Sequence, residues 1–263
     1  MLSKLTGYLS RHFGKAAGSA TSQPLLSEGI SALFLHFDDD AIQSAMVKGQ
    51  PERLVLGYTQ TMMGFLLFQP APKRIEMIGL GGGSLAKYCR KHLPAAHFTA
   101  IEINPKVIAL RTRFNIPPDD QHFEVVCANG ADYVRGDGGV TDVLMIDGFK
   151  PHGQPDSLCS EDFYRACYTR LGSDGVLVVN LLDDDRHYRD YLSRIRRCFH
   201  GKVLEIDAES RGNKIIFAGK GENFPPSAQA VQASIAPLES SHRLPIRSIA
   251  EKVLAALDAC HVF

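Results

Sequence analysis

The chain predicts an α/β fold built on a doubly wound, largely parallel sheet, and three observations predict it. Beyond Pro70, strand-like and helix-like segments alternate regularly to about residue 219. Two of the strands, Asp142-Val-Leu-Met-Ile146 and Gly175-Val-Leu-Val-Val179, are apolar without alternation, as strands covered on both faces are. The first strand runs into Ile78-Gly-Leu-Gly-Gly-Gly-Ser84, a glycine-rich turn that opens a helix.

The elements follow in order. Residues 1–29 read as a flexible N-terminal segment: 16–29 are rich in Ala, Gly, Ser and Thr, like a linker. The stretch before Glu28 holds Lys4, Arg11 and Lys15, no acid, and no apolar run of secretion-signal length. An organelle transit peptide is the alternative reading of that stretch. Residues 30–70 read as a small β region, with strands over 42–47 and 53–58 joined by a turn at 49–51. A buried helix over 61–68 then enters the core.

The core, 71–221, reads as strands over 74–79, 98–103, 123–128, 142–147, 176–181, 203–207 and 214–218. Helices are expected over 84–92, 105–114, 160–171 and 186–199, with a short turn over 131–135. The last two strands, with no helix between them, predict an antiparallel hairpin at one edge. Residues 222–263 read as a polar linker with prolines at 225, 226 and 237, then an amphipathic helix with Ile246, Ile249, Val253, Leu254 and Leu257 on one side.

Composition narrows the functional class. The chain has 263 residues, 44% hydrophobic and 22% charged, enough for one large core. Its 29 basic and 29 acidic residues cancel, which argues against a nucleic-acid or anionic-membrane partner. No apolar run approaches the roughly 18 residues of a membrane span. Six scattered cysteines without a CxxC pair predict reduced thiols, a cytoplasmic setting and no metal centre.

In open parallel sheets, ligands bind at the carboxyl ends of the strands, near the point where strand order reverses. The glycine turn lets a ligand approach backbone. It departs from the dinucleotide fingerprint, because Ser84 stands where a small packing Gly or Ala belongs. Glu102 ends the second core strand about twenty residues on, where a carboxylate accepts hydrogen bonds from both ribose hydroxyls. After the third strand comes Asn129-Gly130, and two readings of Asn129 stand: contact with an adenine edge, or a helix N-cap. Asp147 ends an otherwise apolar strand, so burial should raise its pKa and suit it to base chemistry.

In this order the motifs resemble the spermidine synthase (polyamine aminopropyltransferase) family. The resemblance runs from about Gln43 to Gly219. It includes Ile42-Gln-Ser44, Pro51-Glu-Arg-Leu-Val-Leu-Gly-Tyr58, Met62-Met63, Ile101-Glu-Ile-Asn-Pro-Lys-Val-Ile108 and Asp162-Phe-Tyr-Arg165. It implies an AdoMet-methyltransferase-like, Rossmann-type seven-stranded sheet behind a small N-terminal β domain, and a homodimer formed through that domain. The implied co-substrate is decarboxylated S-adenosylmethionine or S-adenosylmethionine itself, without a metal, and the implied reaction moves an aminopropyl group to a small amine.

By resemblance, Gly79, Gly81, Gly82, Gly83, Ser84 and Gly130 surround the nucleoside, Glu102 holds the ribose and Asn129 meets the adenine. Asp147 assists deprotonation. Tyr58, Lys150 and Asp183 stand as further candidates on the substrate side of the site. Two family acids are replaced. Gly-Gly-Gly-Asp-Gly appears as Gly81-Gly-Gly-Ser84-Leu85, and Asp-Ser-Ser-Asp-Pro as Asp147-Gly-Phe-Lys150-Pro151. Losing a buried carboxylate that faces a cation costs about 2–5 kcal/mol. Three activities therefore stand open: aminopropyl transfer to an unusual amine, with Asp183, Asp184 or Asp185 restoring negative charge; methyl transfer from intact S-adenosylmethionine; and nucleoside binding without catalysis.

Overall fold

The computed structural model describes residues 23–37, 42–149, 154–210 and 212–260. Lys150, Pro151 and the Asp38-Asp39-Asp40 run lie outside them, as does the positively charged start of the chain.

Seven strands form the central sheet in the order β6-β5-β4-β7-β8-β10-β9. They are β4 (Arg74–Ile78), β5 (His97–Glu102), β6 (Phe123–Cys127), β7 (Thr141–Ile146), β8 (Leu171–Leu182), β9 (Val203–Asp207) and β10 (Asn213–Gly219). The strands from β6 to β8 run parallel, and β10 lies antiparallel to both β8 and β9. Strand order reverses at β4, which has β5 on one side and β7 on the other. That places a ligand crevice over the carboxyl end of β4.

The unalternating strands bury both faces, as expected. Ile75, Met77, Val143, Met145, Val176, Val178, Ile215 and Phe217 point to one core layer. Ile78, Leu144, Ile146, Leu177, Val179, Ile216 and Ala218 point to the other. Within the second layer Glu76 of β4 is 1% exposed, and Arg170 grips it in a fork, Nε to Oε2 at 2.9 Å and Nη2 to Oε1 at 2.7 Å. The Arg170 guanidinium also lies over the Tyr133 ring, 5.0 Å from its centroid.

The helices begin at α1 (Gly57–Met62), which continues into a 3-10 turn over Met63–Leu67. Then come α2 (Ser84–His92), α3 (Pro105–Ile108), α4 (Gly130–Arg135), α5 (Glu161–Arg170), α6 (Tyr188–Cys198), α7 (Ala228–Ser241) and α8 (Ile246–Cys260). A separate antiparallel sheet, β1 (Leu25–Glu28), β2 (Ala32–His36) and β3 (Ile42–Val47), packs ahead of the core. Its Leu33, Leu35 and Met46 join the main core, while Ala32, Phe34 and Ala45 form a small cluster with Leu56.

Four sequence expectations are corrected. Residues 25–28 lie inside the expected linker but form β1, because β2 supplies a full antiparallel partner. No strand forms over 53–58: β3 pairs back onto β2, and the chain after the turn enters α1 at Gly57. The helix expected over 105–114 is regular only to Ile108, since beyond it hydrogen bonds of i−3, i−4 and i−5 spacing mix, as in Arg111 to Ile108 and Ile116 to Arg111. The expected polar linker contains α7, which is capped by Ser227 and buries Val231, Ile235 and Leu238 at helical spacing despite Pro237.

The edge hairpin forms as expected from β9 and β10, with β10 on the inside. Among the described residues no helix is long and apolar enough to cross a membrane. Nor is any group of three or more His, Cys, Asp or Glu placed to hold a metal ion. Cys89, Cys159, Cys167 and Cys198 are free and buried, and Cys127 is free and exposed.

Candidate active site

A cavity of about 350 Å³ opens over the carboxyl ends of β4, β5 and β7. It gathers Tyr58, Gly79, Gly81, Ser84, Glu102, Asn129, Gly130 and Asp147, residues drawn from five separate stretches of the chain. The roof comes from the N-terminal part, where Gln43, Ser44 and Thr59 face the cavity beside Tyr58.

The glycine turn fixes the floor. Gly79 has φ +97°, and a Cβ there would sit 2.4 Å from the Asp147 carbonyl oxygen. The ends of β4 and β7 thus touch backbone to backbone, and the Asp147 N–H donates to Ile78 O at 2.9 Å. Gly82 and Gly83 take a different role from the one expected, because they stand behind the cavity rather than in its lining. A Cβ at Gly82 would meet Ser44 Oγ at 2.5 Å and Phe114 at 2.8 Å, and one at Gly83 would meet Ile116 at 2.6 Å. They are glycines because side chains of the next layer press on the turn.

Glu102 ends β5. Its Oε2 accepts from Leu80 N–H at 3.0 Å and its Oε1 from Asn104 N–H at 2.9 Å. Burial raises its pKa, and these backbone donors oppose that rise. The carboxylate also lines the cavity, where it can accept from the two hydroxyls of a vicinal diol.

Asn129 is the N-cap of α4. Its Oδ1 accepts from Ala131 N–H at 2.9 Å and Asp132 N–H at 3.4 Å. The capping reading is realised, and Asn129 lines the cavity as well. With Oδ1 occupied, the group it can offer a ligand is its amide donor.

Asp147 is half-buried at the end of β7. Burial pushes its carboxyl up to about 6, while hydrogen bonds from Asn180 and Tyr58 pull the other way. Asn180 Nδ2 donates to Oδ1 at 2.8 Å, and Tyr58 OH to Oδ2 at 3.3 Å. Burial and the neighbouring carboxylate hold the Tyr58 phenol well above its ordinary range, so it stays a donor. Asn180 was not singled out from the sequence, although it is the polar residue that interrupts the apolar run of β8.

Asp183 does not reach this cavity. It sits exposed after β8, its N–H donating to Gly212 O at 3.1 Å, and lines a separate hollow with Tyr188 and Arg196. The chain turns away there because β8 leads directly into the approach to α6.

The arrangement suits an elongated ligand with a sugar at Glu102 and a reacting end at Asp147. Residues 55–194 match the spermine/spermidine synthase domain. The chain is 42% identical over 195 residues to a polyamine aminopropyltransferase of Neisseria meningitidis serogroup A, covering 73% of this chain and 74% of that one. It is 40% identical over 205 residues to the polyamine aminopropyltransferase of Chromobacterium violaceum, covering 78% of each. The fold matches that of spermidine synthase from Thermotoga maritima with a TM-score of 0.66 at 21% identity, covering 92% of this chain and 90% of that one. The chain belongs to the spermine/spermidine synthase family, the polyamine aminopropyltransferases, and is a transferase of that class.

Proposed function

We propose that the chain moves an aminopropyl-type group from an S-adenosyl sulfonium donor to the nitrogen of a small amine, with Asp147 taking up the amine's proton. The observation that supports this reading best is the pair of carboxylates, Glu102 and Asp147, facing one cavity across the glycine turn. The first suits the ribose, and the second lies where an acceptor would arrive.

A free alkylammonium has a pKa near 10.4, so almost none is nucleophilic at neutral pH. A carboxylate with a pKa near 6 is mostly ionised there, attracts the ammonium and accepts its proton as the nitrogen commits to attack. The amine lone pair then forms the N–C bond to the tail carbon beside sulfur. The S–C bond breaks with its electron pair on sulfur, releasing methylthioadenosine. Asn180 and Tyr58 hold the carboxylate in place throughout.

The test is incubation with S-adenosylmethionine or its decarboxylated form and a panel of amines, with nucleoside products separated by chromatography. Methylthioadenosine should accumulate in step with the alkylated amine. Asp147→Asn should lower turnover about 100-fold or more while leaving methylthioadenosine affinity unchanged. Release of S-adenosylhomocysteine instead would make the reaction methyl transfer. Binding of methylthioadenosine without turnover on any amine would favour a non-catalytic role.

A further inference from the structure

We infer that the tail end of the cavity is built for an amino-acid carboxylate, so that the donor is intact S-adenosylmethionine rather than its decarboxylated form. This deepens the proposed function and rests on it. The strand order sets the ligand's path. A nucleoside with its sugar on Glu102 at β5 and its base toward Asn129 beyond β6 must cross the end of β4 before reaching Asp147 on β7. At the end of β4 lies the start of α2.

That helix start lacks partners. Its N-cap is Gly83, which has no side chain to offer, and among the described residues no acceptor meets the N–H groups of Ser84, Leu85 or Ala86. A second observation at the same place is independent of the helix. Ser44, from β3, and Ser84 both line the cavity, 5% and 9% exposed. Neither hydroxyl has a hydrogen-bond partner among the described residues. Both hydroxyls open onto the cavity, where a polar group of the ligand can supply the partner that the protein does not.

Hydroxyls accept either sign of charge, and the helix decides between them. The N-terminus of a helix has partial positive character, which favours a carboxylate and disfavours a lone ammonium. Among the described residues the carboxylates lining the cavity are Glu102 and Asp147, positioned for the sugar and the acceptor. The ammonium of an intact methionine tail sits beside its own carboxylate and so brings its counter-charge with it. With this donor the displacement is the same. The nitrogen bonds to the carbon beside sulfur, the S–C pair stays on sulfur as methylthioadenosine leaves, the proton goes to Asp147, and the transferred group is 3-amino-3-carboxypropyl.

Titration calorimetry with methylthioadenosine, S-adenosylmethionine and decarboxylated S-adenosylmethionine, on wild type, Ser84→Ala and Ser84→Asp, tests the inference. Wild type should prefer the intact donor about tenfold. Ser84→Ala should narrow that preference. Ser84→Asp should weaken the intact donor about 100-fold and reverse the order. Methylthioadenosine, which lacks a charged tail, should bind all three proteins within about threefold, which reports an intact fold and nucleoside pocket. Wild-type preference for the decarboxylated donor, or unchanged selectivity in Ser84→Asp, overturns the inference and leaves the transferase reading standing. Failure of methylthioadenosine to bind wild type overturns both.

Discussion

Asn180 stands between two partners: its Nδ2 donates to Asp147 Oδ1 at 2.8 Å, and its Oδ1 accepts from Asn213 Nδ2 at 2.9 Å. The second bond fixes which way the amide faces, so only its donor end can meet the carboxylate. Gln154 adds a contact from outside the strand, Nε2 to the Asn180 carbonyl at 3.0 Å. A chain of neutral amides therefore links the edge hairpin to Asp147.

Asn180→Ala removes a donor that favours the ionised form of Asp147, so the Asp147 pKa should rise. The acidic limb of the kcat profile should move to higher pH, and turnover at pH 6 should fall more than at pH 8. A pH–rate series on wild type and variant checks this. A uniform drop at every pH would assign Asn180 a purely structural role.

Asp147 also bears on stability. Its folded pKa of about 6 lies above its ordinary 3.8, so the native state binds the proton more tightly than the unfolded chain. The corresponding stability is fully present below about pH 3.8 and is lost as pH rises through 6. Asp147→Asn, which keeps the shape and removes the charge, should therefore be more stable than wild type at pH 8 by about 1–3 kcal/mol. The gain should vanish near pH 3.5. Urea unfolding at the two pH values measures it.

Glu102→Gln should weaken methylthioadenosine binding about 10- to 100-fold. Its amide nitrogen cannot accept from either Leu80 or Asn104, and one ribose hydroxyl loses its acceptor. Calorimetry at neutral pH reads the change, and unaltered affinity would remove Glu102 from the sugar site.

The buried pair in the opposite layer is structural. Arg170→Ala removes the forked partner of Glu76, which is 1% exposed, and leaves it the longer Arg74 contact at 3.8 Å and the Tyr133 hydroxyl at 3.3 Å; the change should cost about 3–5 kcal/mol. The double variant Glu76→Leu with Arg170→Leu should recover much of that loss, because no charge then remains buried. Chemical denaturation of the three proteins decides the point.

The core was legible because its signals are local. Strands bounded by Gly and Asp, such as 142–147, and the helix over 84–92, whose last turn carries Arg90, Lys91 and His92, lie within a residue or so of their expected places. Glu102 and Asp147 were legible for a related reason, since each breaks an apolar run at a strand end. What stayed hidden depends on partners distant in sequence. The fate of residues 53–58 was decided by β2, which claims β3 first. Gly82 and Gly83 look like ligand glycines until Ser44, Phe114 and Ile116 are seen against them. Asn180 gains its meaning only when Asn213 arrives from the neighbouring strand. In α7, Pro237 masked a helix whose buried face is otherwise regular.

The contact of Gly79 with the Asp147 carbonyl has a mechanical consequence. One methyl group at residue 79 would act as a wedge between two strand tips and displace the proton acceptor. Sugar recognition and proton uptake would then fall out of alignment together, because both hang from the same hinge point in the sheet.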